Sequence, residues 1–231
     1  MGKREEICRQ RELQKRRTKL LVILGIIVLA VLIVSAIALP AIKAGLAPLG
    51  SIQVPVPSPR PMADGLSMGN PAAPVIVEEY SDFQCPYCKE FSTTYEPAIV
   101  KDYVATGKVY FKYIPFTVIG TESDDAAQAA YCAAEQNKFW EYHDILFANQ
   151  TGENIGDFSS KRLAAFAGKL GLNLNDFNSC FASGKYAAQL NQNMDAGRLL
   201  KVDGTPSFYV NGNKVDPREV YQSITDTLTL K

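Results

Sequence analysis

Ser81 to Phe91 reads SDFQCPYCKEF, and in it Cys85 and Cys88 are separated only by Pro86 and Tyr87. Two cysteines at this spacing have three readings: a redox pair, half of a zinc site, or a disulfide that only staples the chain. Immediately upstream, Val75 to Tyr80 (VIVEEY) is a short apolar run rich in β-branched residues, which suits a buried strand. Downstream, Lys89 to Val100 places Phe91, Tyr95 and Ile99 at helical spacing, and Lys108 to Phe116 (KVYFKYIPF) reads as a second strand. The pair therefore falls at the strand-to-helix junction of a βαβ unit, where backbone N–H groups and the helix dipole stabilise a thiolate. That placement predicts a redox motif. Cys85 would open the helix and attack, and Cys88, one turn in, would resolve the mixed disulfide. Pro86 suits the first helical position, where its missing N–H costs nothing.

The other two readings fit less well. A structural zinc site uses four ligands, usually as two close pairs, but Cys132 and Cys180 are isolated and His143 is the one histidine. It lies in the stripe Phe139, Trp140, Tyr142, His143, Leu146, Phe147, whose helical spacing predicts core packing. A staple across so few residues closes too small a loop to stabilise much. No metal or cofactor site is expected, and there is no phosphate loop, protease constellation or dinucleotide fingerprint.

Working outward toward the amino terminus, charge is segregated although the formal net charge is zero. Residues 1–19 hold eight Lys/Arg against three Glu, including Lys3, Arg4 and Arg16, and leave an acidic remainder. Nothing in it suggests a basic groove for nucleic acid. Leu20 to Leu39 is an uncharged apolar run of the length that crosses a bilayer as a helix. It is longer than a signal-peptide core, so an uncleaved anchor is expected, with residues 1–19 as a cytoplasmic arm. Residues 40–74 carry eight of the thirteen prolines, including VPVPSPRP at Val54 to Pro61. Such a segment predicts a semi-rigid extracytoplasmic linker. Cys8 would then be cytoplasmic and uninvolved.

Toward the carboxyl terminus, residues 121–200 are helical in pattern: DDAAQAAYCAAEQ, KFWEYHDILF, KRLAAFAGKLG and the run from Phe177 to Leu200. Strand character returns only at Pro206 to Val210 (PSFYV), followed by a turn at Asn211 to Asn213, a short strand at Lys214 and Val215, and a last helix opened by Asp216 and Pro217. The expected architecture is α/β: a thioredoxin-like fold over residues 75–231 with a helical insertion, preceded by one transmembrane helix.

VEEYSDFQCPYC, FWEYHDILF and GTPSFYVNG, in this order and with helices between, resemble the DsbA-type thiol-disulfide oxidoreductases, in the branch whose members are often membrane-anchored. The resemblance runs from about Gly65 to the end. It implies that Cys85 is the nucleophile, that Cys88 is the resolving thiol, and that Pro206 is a cis-proline facing them with Thr205 before it. Sequence alone would make GTP a turn. It also implies that Glu79, six residues before Cys85, is the acidic group beneath the cysteines that takes up or relays the Cys88 proton, while Glu78 faces the other side. A second, non-catalytic disulfide between Cys132 and Cys180 is expected: on the residues alone the two are either paired or buried thiols, and the resemblance, in which paired cysteines recur in the insertion, implies the pairing. Many strongly oxidising members carry histidine where this chain has Tyr87, so oxidising strength is not implied.

Three functions remain open at this stage. One is a disulfide-forming oxidase for newly exported proteins, reoxidised by a quinone-linked membrane partner. Another is a reductase or isomerase supplied with electrons across the membrane. The third is a tethered peptide-binding or chaperone module in which the cysteines are incidental.

Overall fold

A computed structural model of the chain describes residues 2, 16, 19–21, 23–35 and 49–230, in two compact units, Met1–Pro48 and Leu49–Lys231. In the first, residues 20, 21 and 23–35 are helical and their large apolar side chains are exposed. No helix among the described residues is long and apolar enough to cross a membrane. Residues 22 and 36–39 of the expected span lie outside the described residues, as do Cys8 and nearly all of the basic arm.

The second unit is built on a five-stranded sheet of β1 (Ser67–Gly69), β2 (Val75–Ser81), β3 (Val109–Pro115), β4 (Ser207–Val210) and β5 (Asn213–Val215), ordered β1-β3-β2-β4-β5. Only β2 and β3 run parallel, which requires the helical crossover expected from the sequence. β2 lies at the centre, with Val75 and Val77 fully buried. Its register sets Glu79 between Tyr113 of β3 and Phe208 of β4, so these three share one face of the sheet. The β4–β5 hairpin turns through Asn211 and Gly212, with φ of 47° and 79°, the left-handed pair that a tight hairpin needs.

The crossover begins as α1 (Pro86–Glu90), passes through a π turn at Phe91–Tyr95, continues as α2 (Glu96–Ile99) and ends in a second π turn at Val100–Val104. The wider π turns rotate the buried face. Phe91 and Ile99 are buried, whereas Tyr95, spaced to join them, is 37% exposed. The insertion comprises α3 (Thr121–Ala134), α4 (Phe139–Asn149), α5 (Ser160–Lys169), α6 (Leu174–Ala182) and α7 (Ala187–Leu199). The run from Phe177 to Leu200 is therefore two helices, interrupted near Gly184 at φ +62°. Gly197 lets α7 sit against Phe116, since a Cβ there would meet the ring at 2.5 Å. Cys132 on α3 and Cys180 on α6 are disulfide-bonded. Cross-linking residues 48 apart in sequence contributes about 4 kcal/mol in the chain-entropy picture. A short turn at Pro217–Glu219 leads into α8 (Val220–Thr229).

The boundary of this unit corrects one expectation. The proline-rich stretch, expected as a semi-rigid linker over residues 40–74, is docked from Leu49 on. Ile52 packs against the core. The Gln53 N–H donates to Asn149 Oδ1 at 2.9 Å, and Asn149 Nδ2 donates back to the Gln53 carbonyl at 2.7 Å. Arg60 pairs with Glu96 and, at 2.6 Å, with Asp144, and its guanidinium stacks over Trp140, 4.6 Å from the ring centroid. The same stretch supplies β1, where Met68 is fully buried. Proline removes donors but also fixes φ, so such a strap loses little backbone freedom when the side chains between its prolines find partners.

Candidate active site

The segment between β2 and α1 is shaped by one buried carboxylate. Asp82 accepts hydrogen bonds from the N–H groups of Gln84 (2.9 Å), Val118 (2.8 Å) and Ile119 (3.1 Å) and from the Ser123 hydroxyl (2.7 Å). Its own carbonyl accepts from the Cys85 N–H at 3.0 Å. Gln84 ties the loop to the insertion: its side chain donates to Ser123 Oγ at 2.9 Å and accepts from the Asn154 N–H at 2.6 Å, and its carbonyl accepts from Gln150. Cys85 is thus presented from a fully bonded base, as the residue that caps α1 with Pro86 behind it.

Both cysteines are free thiols, so the structure is that of the reduced pair. Cys85 keeps 5% exposure and Cys88 has none, which leaves Cys85 as the sulfur a partner can reach. The peptide bond between Thr205 and Pro206 is cis, and the neutral Cys85 thiol donates to the Thr205 carbonyl at 3.1 Å. A hydrogen bond from the Cys88 thiol is the largest cause of a Cys85 pKa lowered to about 6; burial works against it, and the Thr205 side chain and the backbone N–H groups at Cys88 and Tyr87 add to the lowering. Cys88 is pushed far the other way, first by burial, then by holding its proton toward Cys85, then by the charges of Cys85 and Glu79. The pair is split into one thiolate and one thiol. Tyr87 is 68% exposed and borders a groove with Phe91, Tyr95, Thr205, Pro206 and Arg218.

Glu79 lies 1% exposed on the sheet face beneath the pair. Neither carboxyl oxygen finds a hydrogen-bond partner among the described residues. Burial, followed by repulsion from Glu96, raises its pKa well above the ordinary carboxylate value and so favours its protonated form. The Ser81 hydroxyl sits within electrostatic reach of Glu79, Cys88 and Tyr113, yet it makes no hydrogen bond of good geometry. Glu78 faces the other side and pairs with Lys112 at 3.1 Å.

The structure therefore gathers Cys85, Cys88, Thr205, Pro206 and Glu79 at one place, with Pro86 and Tyr87 between the cysteines. Cys132 and Cys180 lie apart, in the insertion. Sequence reasoning missed Asp82 and Gln84, whose partners are 36 to 70 residues away, and Tyr113, which looked like an ordinary strand residue. Among the described residues no cluster of three or more His, Cys, Asp or Glu is placed to hold a metal ion.

A protein-family model described as Thioredoxin matches residues 62–228. The chain is 39% identical over 142 residues to a Na(+)/H(+) antiporter NhaA 3 of Salinispora tropica, a match that takes in 62% of this chain and 21% of the antiporter. It is 32% identical over 155 residues to a probable disulfide bond formation protein D of Bacillus cereus, covering 65% of this chain and 72% of that protein. The chain thus spans about a fifth of the antiporter and most of the second relative. The crystal structure of oxidised BdbD from Bacillus subtilis shares the fold, with a TM-score of 0.66 at 24% identity over 77% of this chain and 100% of that one. With the family model matched over residues 62–228, the chain belongs to the thioredoxin family, and a probable disulfide bond formation protein D is among its relatives.

Proposed function

We propose that the chain works outside the cytoplasm, donating a Cys85–Cys88 disulfide to newly exported proteins. The observation that carries this reading is the split dithiol: a Cys85 lowered to about 6 beside a Cys88 held as a thiol. Stabilising the Cys85 thiolate stabilises the reduced form, which makes the oxidised form the better electron acceptor. A substrate thiolate attacks Cys85 Sγ. The enzyme disulfide breaks, its electron pair goes to Cys88, and Cys88 takes a proton from Glu79. A second substrate thiolate then attacks the substrate sulfur of the mixed disulfide, forming the substrate disulfide and releasing Cys85 as a thiolate. Thr205 and Pro206 hold the approaching chain, the Thr205 carbonyl lying 3.1 Å from Cys85 Sγ. Pro86 fixes the helix start, and Tyr87 forms one wall of the groove.

Reoxidation falls to a membrane-bound, quinone-linked partner, and residues 20–39 anchor the enzyme with residues 1–19 in the cytoplasm. Support comes from the uncharged run behind a basic arm and from relatives named as disulfide bond formation proteins. One observation favours a second reading as reductase or isomerase: Tyr87 brings no positive charge to the thiolate, and a value about 6 lies nearer thioredoxin at ~7 than DsbA at ~3.5. The experiment that separates them compares two rates for the full chain. The oxidised chain should oxidise a reduced, unfolded protein faster than the reduced chain reduces insulin. Strong insulin reduction with negligible oxidation would establish the reductase.

A further inference from the structure

We infer that Tyr113, His143 and Asp144 form a proton relay connecting Glu79, beneath Cys88, to solvent beside Arg60. This rests on the dithiol chemistry proposed above. Closure of the disulfide requires the Cys88 thiol to lose its proton into a floor that excludes solvent. In the relay Glu79 begins protonated, so it accepts that proton only as it hands its own on.

The exit is marked by polar atoms that have no other assignment. The buried side-chain atoms without a hydrogen-bond partner among the described residues are both Glu79 oxygens, Ser81 Oγ, Tyr113 OH, His143 Nε2, Arg60 Nε and Glu96 Oε2. A fold rarely leaves so many such groups, and here they occupy one connected region. Tyr113 is the direct cross-strand neighbour of Glu79. Its ring stands 5.1 Å from that of His143, edge to face. His143, fully buried among Phe83, Trp140 and Phe147, turns Nδ1 to Asp144 Oδ1 at 2.9 Å and leaves Nε2 buried without a partner among the described residues. Asp144 reaches Arg60 at 2.6 Å and is 12% exposed, and both line open clefts. The titratable and charged groups around His143 are Asp144 on its own helix and Tyr113 on β3. Glu79 and Cys88 lie one step inward; Arg60 and its partner Glu96 lie outward of Asp144 and also act electrostatically on Glu79 itself. Burial alone would raise Asp144, but the hydrogen bond from His143 and the charge of Arg60 hold it below the usual value, so it releases a proton readily to water.

The proton passes from Cys88 to Glu79, from Glu79 through the Tyr113 hydroxyl, directly or across a bridging water, to His143 Nε2, and from Nδ1 to Asp144. No electron moves along this path. In the opposite direction it supplies the proton that Cys88 takes up when its disulfide opens.

Tyr113→Phe is the sharp test, because deleting an unpartnered hydroxyl leaves packing intact and does not lower stability. The reduced full chain is mixed with oxidised glutathione and acid-quenched. Formation of the Cys85–glutathione disulfide and closure to Cys85–Cys88 are then timed separately between pH 6 and 8. The relay predicts unchanged mixed-disulfide formation and a closure rate at least about tenfold slower, with a shifted pH profile. Asp144→Asn should act alike and decides the matter if the first variant does not fold. Wild-type closure in the folded variant at every pH overturns the relay. A wild-type chain that does not exchange with glutathione at all overturns the proposed function instead.

Discussion

The two sulfurs of the dithiol are close in sequence and opposite in surroundings. Cys85 faces a mouth of backbone: the free N–H groups opening α1 and the Thr205–Pro206 loop. Cys88 faces a buried floor of side chains, in which Glu79, Ser81 and Tyr113 have no hydrogen-bond partner among the described residues. The mouth needs no acidic or basic side chain to make a thiolate, because helix-end dipoles and a neighbouring thiol suffice. The floor needs side chains, because only a titratable group can move a proton where solvent is absent. The difference teaches that, on the proposed mechanism, attack and resolution are tuned by separate parts of the fold, and each part can be disturbed without the other.

The largest effect breaks the mouth. Cys85→Ser should lower the rate of thiol-disulfide exchange by a factor of about 10³ or more, since no second group can replace the nucleophile. Cys88→Ser leaves attack intact and should accumulate mixed disulfides, seen as added mass on non-reducing analysis. Equal loss in both variants without trapped adducts would erase the asymmetry.

Next comes the strap. Arg60→Met leaves Glu96 and Asp144 buried without their cation, at a cost of about 3–5 kcal/mol read from denaturant midpoints, while the Cys85 titration stays near its wild-type value. A neutral effect on stability would mean that residues 49–61 do not hold the floor together.

A smaller effect follows from linkage. The folded Cys85 pKa is depressed, so its contribution to the reduced protein is fully present above the unfolded thiol value and is lost as pH falls through about 6. Between pH 8 and pH 6 the reduced form should lose about 2–3 kcal/mol relative to the oxidised form, which has no such thiol. Glu79 is common to both forms and cancels to first order. A stability difference independent of pH over this window would contradict the assignment.

Which parts were legible in the sequence follows from the range of the interactions. VIVEEY and KVYFKYIPF announce their strands by local pattern, and CPYC at the junction places the dithiol. The face taken by Tyr95 was not legible, because the π turns change the helical period. Neither was the strap: VPVPSPRP looks free by composition, and its docking rests on Ile52, Arg60 and Met68 finding partners far along the chain. Nothing local marks Asp82 as the carboxylate that shapes the loop, since its bonds go to Val118, Ile119 and Ser123. The cis bond before Pro206 came from family resemblance, as spacing alone gives a turn. His143 does sit in a packed aromatic stripe, but its unpaired Nε2 emerges only in three dimensions.

The central claim is the asymmetry of the pair, and the most direct measurement is the ultraviolet absorbance of the thiolate in the reduced full chain, followed against pH. One sulfur should ionise with a midpoint about 6, absent from Cys85→Ser, while the second stays protonated well past the value of a free thiol. A single transition of both sulfurs near about 8.5, as for unperturbed cysteines, would contradict the account.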